Sequence, residues 1–409
     1  MKMPVRKVTY RLYPSRSQSA ALSAALRLHQ QLYNAALEQR IDAYRRRRVS
    51  LTYADQCHDL TALRQECPEF ATLNCSSQQV TLRRLDKAFK AFFERVKTKG
   101  AAAGFPRFKS LARFPGFGFK SHGDGWRFTP GAEWRHGKLR LQGVGTIKAR
   151  GQARQGGIIK ASELLHRDGA WHLSLTLECP DITRASGTEV VAFDWGTETF
   201  ATLAVGEEDA PTMETVENPR WYRHEQQRIT DLQQAVSRKR RGSNRRRKAV
   251  RRLATARART ARRRLDWQHK LSSDLVKRSA LIATEHLSIA AMTRSAAGTV
   301  EAPGKRVAQK AGLNREILDT APSQFLSLVR YKVQETGTAL LIEAPTRRLK
   351  PSQTCPCCGT VRKKALSERA HTCDVCGTTL PRDFASAWVV LRYAHGVLKA
   401  NGSERPDAE

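Results

Sequence analysis

The sequence predicts an α/β protein with additional all-β and α-helical parts, and three observations lead there. Over residues 15–48 and 77–97, apolar side chains recur every three or four positions, the period of a helix buried on one face. From about 108 to 180 the chain changes to short alternating runs parted by glycine turns, the pattern of half-buried strands. Beyond 187, apolar strands interleave with long helical stretches, the layout of a sheet with helices packed on it.

Residues 7–13 read as a strand ended by Pro14. From Ser15 a helix follows, with Leu22, Leu26, Tyr33 and Leu37 on one face and a basic end at Arg45 to Arg48. A second helix covers 77–97 through Leu82, Leu85, Phe89, Phe92 and Val96, and Gly104-Phe105-Pro106 breaks it. Residues 138–141, 146–148 and 171–177 are strands of a small barrel or curled sheet, which the first strand is expected to join. Phe114, Phe117, Phe119, Trp126 and Phe128 lie among basic residues there; they fit either a small β-domain core or a platform for stacked bases.

In the second half, 189–196 and 199–205 form a hairpin, with Asp194 at the end of its first strand. A helical region spans about 220–279. The strand 281–284 ends in Glu285, and a polar, mobile loop is expected over 293–312. A helix over 314–336 would turn Ile317, Phe325, Leu328 and Tyr331 inward, before a strand at 338–343. Phe384, Trp388 and Leu391 mark a closing helix, with Asp383 near its start.

Charge narrows the partners. Lys and Arg number 72 against 38 Asp and Glu, a net +34, and self-repulsion on that scale calls for a polyanion. Nucleic acid leads, and an anionic membrane surface is the alternative. No apolar run reaches the length of about 18 residues that spans a bilayer, so a soluble, cytoplasmic protein is expected. Fifteen Lys or Arg and no acid fall between 238 and 264. Arg238, Lys239, Arg240, Arg241, Arg245, Arg246, Arg247, Lys248, Arg251 and Arg252 are therefore expected on a phosphate backbone, where they position the protein without reading sequence.

Four of the nine cysteines are spaced as knuckles: Cys355-x2-Cys358 and Cys373-x2-Cys376, each followed by glycine. Two such turns bring four thiolates into a tetrahedron, a zinc ribbon whose closed site is structural. Cys357 competes with Cys358 for one ligand position. Asp194, Glu285 and Asp383 fit either a trio of local caps and ion-pair partners or three carboxylates converging on Mg²⁺ (or Mn²⁺).

The motifs FDWGTETFATL, ATEHLSIAAM, PSQTCPCCG, ERAHTCDVCG and PRDFASA, with VTYRLYPSRSQSAAL and LDKAFKAFFERVK…GFPRFK upstream, resemble in order the TnpB (OrfB-type) proteins of bacterial transposons, relatives of compact type V CRISPR effectors. The resemblance covers nearly the whole chain. It implies a RuvC (RNase H-like) nuclease domain with an inserted zinc ribbon, a small β-barrel wedge domain and a helical recognition domain. The implied boundaries are 1–14 with 108–185 for the wedge, 15–107 for recognition, 186–347 with 381–400 for RuvC, 348–380 for the ribbon and 401–409 for a disordered tail. It further implies Asp194, Glu285 and Asp383 as metal ligands, a guide RNA and a double-stranded DNA target as partners, and a monomeric protein in the ribonucleoprotein. A compact CRISPR effector, or an RNA-guided binder with weak or no cleavage, are the neighbouring expectations. Trp195 replaces a small aliphatic residue of the family pattern, and Pro381, Ala385 and Val389 stand at other positions where the last motif differs.

Overall fold

The computed structural model describes residues 4–98, 103–180, 184–365 and 367–400, so the tail expected at 401–409 lies outside the described residues. The chain forms two compact units, Met1–Asp181 and Ile182–Glu409.

In the first unit, β1 (Val5–Tyr13) leads into α1 (Arg16–Arg47). Ser15 and Gln18 close a capping box at the start of α1, and three arginines in its last turn suit the negative end of the helix dipole. Helices α2 (Tyr53–Glu66), α3 (Pro68–Ala71) and α4 (Cys75–Lys97) follow. The sequence reading missed α2 because it buries only Gln56 and Leu60, too few positions to create a period. Strands β2 (Gly116–Phe119), β3 (Trp126–Pro130), β4 (Arg135–Leu141), β5 (Gly145–Gln152), β6 (Ile158–Arg167) and β7 (Ala170–Glu178) build an antiparallel sheet with β1, in the order β2-β6-β7-β1-β5-β4-β3. The sheet curls: Tyr10 of central β1 lies 4.8 Å from Phe128 of edge β3. Edge strands β2 and β3 meet through Phe119 and Trp126, ring centroids 6.1 Å apart, with no ladder between them among the described residues. All five aromatics left open above are buried in the core that the sheet shares with α1 and α4. They are core residues.

The second unit holds a sheet ordered β10-β9-β8-β11-β12, made of β8 (Glu189–Trp195), β9 (Thr199–Val205), β10 (Thr212–Glu217), β11 (Ser279–Glu285) and β12 (Leu340–Ala344). β8, β11 and β12 are parallel; β9 runs antiparallel to β8, and β10 antiparallel to β9. Helices α5 (Trp221–Ser237), α6 (Asn244–Arg278), α7 (Ile289–Met292), α8 (Val307–Thr320), α9 (Pro322–Gln334) and α10 (Thr346–Leu349) precede the short hairpin β13 (Ala370–Thr372) and β14 (Thr379–Pro381) and the closing helix α11 (Arg382–Ala400).

Three expectations need correction. The helical region at 220–279 is two helices, because Gly242, at φ 83°, sits in a turn and Ser243 caps α6 anew. The polar segment ends at 306, where α8 begins, earlier than the expected 314. The helix expected over 314–336 breaks at Ala321, which is left-handed at φ 48° before Pro322. The break resets the helical phase, so Tyr331 is exposed and the inward residues of α9 are Phe325, Val329, Lys332 and Val333. The Lys332 ammonium donates to His269 O at 2.6 Å and to the hydroxyls of Ser272 and Ser273 at 2.7 Å. Burial and then Arg184 push its pKa down to about 8.

Strand side chains alternate between faces, and here each face has its own core. Val191 and Phe193 of β8 pack with Ile282, Phe325 and Val329 on the α6/α9 side. Val190 and Ala192 pack with Leu281, Ala283, Ala387 and Leu391 on the α11 side.

Candidate metal centre and nucleic-acid interface

That alternation fixes where the acids go. Asp194 shares the parity of Val190 and Ala192, and Glu285 that of Leu281 and Ala283, so both belong to the face covered by α11. The parallel register pairs Ala283 with Ala192 and Thr284 with Phe193, so the next residues, Glu285 and Asp194, stand side by side at the strand ends. Thr284 reinforces this end by donating its hydroxyl to Phe193 O at 3.2 Å. Alanines 192, 204, 283, 344 and 387 line the same face and let α11 lie close to the sheet. The first turn of α11 carries Asp383.

Asp194 lies close enough to Glu285 and Asp383 to feel both negative charges. Glu285 is buried, and Asp194 and Asp383 are half-buried. The Asp194 carboxyl is pushed well above the usual carboxylate range, by burial first and then by the negative charges of Glu285 and Asp383. Burial raises Glu285 as well. The charges acting on Asp194 are those two carboxylates. Oxygen donors crowded together without a balancing cation are the donor set that a hard divalent ion accepts. The sequence reading missed Ser386, one turn after Asp383, which is 1% exposed and donates to Glu285 Oε1 at 3.1 Å. Its only signal was its position three residues beyond an acid at a helix start. Trp195 has the opposite parity and packs against the α6/α9 core. Ala385 and Val389 are buried, so no polar side chain stands at either position.

The thiol ligand atoms of Cys355, Cys358, Cys373 and Cys376 lie within 4.8 Å of one another. Cys355 Sγ is 3.6 Å from Cys376 Sγ, and Cys358 Sγ is 3.5 Å from Cys373 Sγ. Bonds of about 2.3 Å in a tetrahedron place sulfurs about 3.8 Å apart, so the four thiols fit zinc. The two knuckles have the same build. Gly359 donates its N–H to Cys355 O at 3.0 Å, and Gly377 to Cys373 O at 2.9 Å, each glycine at positive φ. Hydrogen bonding with Thr360 pulls the Cys358 thiol down to about 6, while burial pushes Cys355 up to about 12. Cys357 is exposed and outside the cluster; its carbonyl accepts from Arg392 at 3.0 Å.

Of the ten candidate backbone-binding residues, Arg238, Lys239, Arg240 and Arg241 occupy the turn between α5 and α6. Arg245, Arg246, Arg247 and Lys248 fill the first turn of α6, and Arg251 and Arg252 follow. All but Lys239 and Arg246 are exposed. Cations at a helix N-terminus oppose its dipole, a cost that a bound phosphate would reverse. Among the described residues, the ion pairs of α6 begin further along, at Arg263 with Glu225 and Arg264 with Asp319.

A second basic surface went unnoticed in the sequence. Strands β1, β3, β4 and β5 contain no acid. Their exposed side chains oppose like charges directly: Arg11 with Arg150, Lys138 with Lys148, and Arg127 with Arg140. Directly opposed like charges destabilise a bare sheet. Tyr13 lies among them, with the Arg11 and Arg150 guanidinium carbons 5.3 and 5.0 Å from its ring centre. The signal was an alternation of Lys and Arg along strands, and only register shows that the cations face one another.

Comparison with known proteins adds the relatives. The chain matches three family models: the OrfB_IS605 "Probable transposase" over 174–296, the "Cas12f1-like, TNB domain" over 323–390, and the OrfB_IS605 "Helix-turn-helix domain" over 3–48. The last segment is here one strand and one unbroken helix. A Streptomyces pristinaespiralis protein named "Putative RNA-guided DNA endonuclease" is 29% identical over 100% of this chain and 94% of its own length. The Escherichia coli "Putative RNA-guided DNA endonuclease InsQ" is 29% identical over 78% of this chain and 74% of its own. Among solved structures, a Cas12f1–sgRNA–target DNA complex superposes at a TM-score of 0.57 with 10% identity, covering 96% of this chain and 99% of that one. The mini RNA-guided endonuclease Cas-phi3 gives 0.52 with 8% identity, covering 96% and 92%. At such identities the likeness shows the fold alone: a RuvC (RNase H-like) architecture with a zinc ribbon and a curled sheet. No described helix is long and apolar enough to cross a membrane. With its matched segments in family order and its relatives aligned over most of their lengths, this chain is similar to the TnpB (OrfB)-type proteins.

Proposed function

We propose that the chain is an RNA-guided DNA endonuclease, with Asp194, Glu285 and Asp383 as the ligands of Mg²⁺ (or Mn²⁺). The observation that carries the reading is Asp194, at the end of β8 beside the end of β11, under the negative charges of Glu285 and Asp383. Bound divalent ions supply activation of water and stabilisation of the leaving oxygen in phosphodiester cleavage. The chain's own residues hold and partly desolvate the carboxylates. β8 and β11 carry two of them at adjacent strand ends, and the first turn of α11 carries the third. The acid-free sheet face and the basic turn leading into α6 suit a structured guide RNA and its duplex with target DNA, read by backbone and shape.

In this reading 15–107 is the recognition part, 1–14 with 108–185 the wedge, 186–347 with 381–400 the nuclease and 348–380 the ribbon. Such a protein acts in the bacterial cytoplasm as a monomer on its RNA. A second reading, guided binding without cleavage, draws on Ala385 and Val389, buried and apolar next to Asp383.

The test expresses the protein with its native flanking DNA, sequences the RNA that co-purifies, and incubates the complex with matching DNA and Mg²⁺. Cleavage by wild type and none by Asp194→Ala is expected, with target binding kept by both. Equal behaviour of the two proteins would give the case to the binder, and no co-purifying RNA would sink guided action altogether.

A further inference from the structure

We propose that Ser386 is a positioning residue, whose hydroxyl holds the Glu285 carboxylate and sets how it presents its oxygens to the metal. The inference rests on the metal-centre reading above. Ser386 is 1% exposed and lies on the α11 face that meets β8 and β11, with its Oγ 3.1 Å from Glu285 Oε1. The Asp194 carboxyl lies near enough to feel the same hydroxyl.

The neighbours make this role specific. Ala385 is buried and Phe384 packs in the α11 core, so neither offers a polar group. Asp383 and Ser386 are three residues apart on one helix and therefore share a side of it. One turn of α11 thus delivers both the third ligand and the brace for Glu285. A hydroxyl is suited to this because it donates to one oxygen of a carboxylate and leaves the remaining lone pairs open to a cation. It adds no charge that would compete with a cation. An oxygen held by a buried donor is oriented before the ion arrives, which spares rotamer ordering on binding.

The experiment uses the full chain as purified. Thermal unfolding is followed while Mn²⁺ is titrated into wild type, Ser386→Ala, Ser386→Thr and Asp194→Ala, and cleavage of a matched target is measured at saturating Mn²⁺. Loss of the brace should raise the half-saturating Mn²⁺ of Ser386→Ala about tenfold, equivalent to about 1.4 kcal/mol, with a smaller change in rate at saturation. Ser386→Thr, which keeps the hydroxyl, should stay within about threefold of wild type, a gap of under 1 kcal/mol. If Ser386→Ala titrates like wild type while Asp194→Ala loses the Mn²⁺ response, the role of Ser386 is refuted and the metal centre stands. If Asp194→Ala also responds like wild type, the metal centre itself falls, and the proposal with it.

Discussion

Replacing Asp194 by asparagine should make the metal-poor protein more stable while abolishing cleavage. Asp194 and Glu285 stand at neighbouring register positions on adjacent parallel strands, which run about 4.8 Å apart. Two unit charges about 5 Å apart repel by about 3 kcal/mol at an effective dielectric near 20. Asp194 is half-buried, so solvent screening reduces the usable figure to about 1–2 kcal/mol. For a domain of this size that is a rise in Tm of about 2–8 °C.

The pH dependence has a definite sign. Both carboxyls are raised in the folded state, so the folded protein binds more protons than the unfolded chain between the two sets of pKa values. The penalty is therefore largest at neutral pH and fades as pH falls through the raised folded pKa values. The advantage of Asp194→Asn should fade with it. The assay is thermal unfolding from pH 4 to 8 in buffer freed of divalent ions by dialysis, since a strong chelator would also reach the cysteine cluster. Mn²⁺ should then reverse the ranking, because it binds and stabilises the wild-type fold. An Asp194→Asn protein less stable than wild type without metal at pH 7, or stabilised equally by Mn²⁺, refutes the reasoning.

Two further outcomes are expected. Purified protein should carry one zinc per chain by elemental analysis; Cys373→Ser should lose it and Cys357→Ser keep it, because only Cys373 is in the cluster. On the sheet face, Lys148→Glu sets an acid opposite Lys138. That should raise the Tm of the RNA-free protein slightly, since an attractive cross-strand pair contributes about 0.2–1 kcal/mol, while weakening RNA binding and flattening its salt dependence in filter binding.

The chemistry was more legible than the architecture around it. Knuckle spacing alone located the four thiols that cluster, because a CxxC turn is a local device. The trio of acids was readable only as positions at element ends. Their meeting depends on β8 and β11 pairing across the whole helical excursion between them, which spacing does not encode. Helix boundaries failed where a left-handed residue reset the phase, at Ala321 and around Gly242. Such breaks are set by backbone conformation and leave the apolar pattern nearly intact. The opposed cations escaped notice for a related reason: each strand looks ordinary alone, and the conflict exists only between Arg11 and Arg150 or Lys138 and Lys148 once register is known.

The ribbon is joined to the acid-bearing helix without slack. β14 ends at Pro381 and α11 begins at Arg382, whose N–H donates to Arg369 O at 2.8 Å and whose guanidinium donates to Ala365 O at 2.7 Å and Glu368 O at 3.0 Å. Asp383 is the next residue. The ribbon is thus a lever clamped to the foot of α11, and a twist applied at its tip turns the helix start rather than dissipating in a hinge. Force on the cysteine module and the aim of the third acid are one mechanical variable.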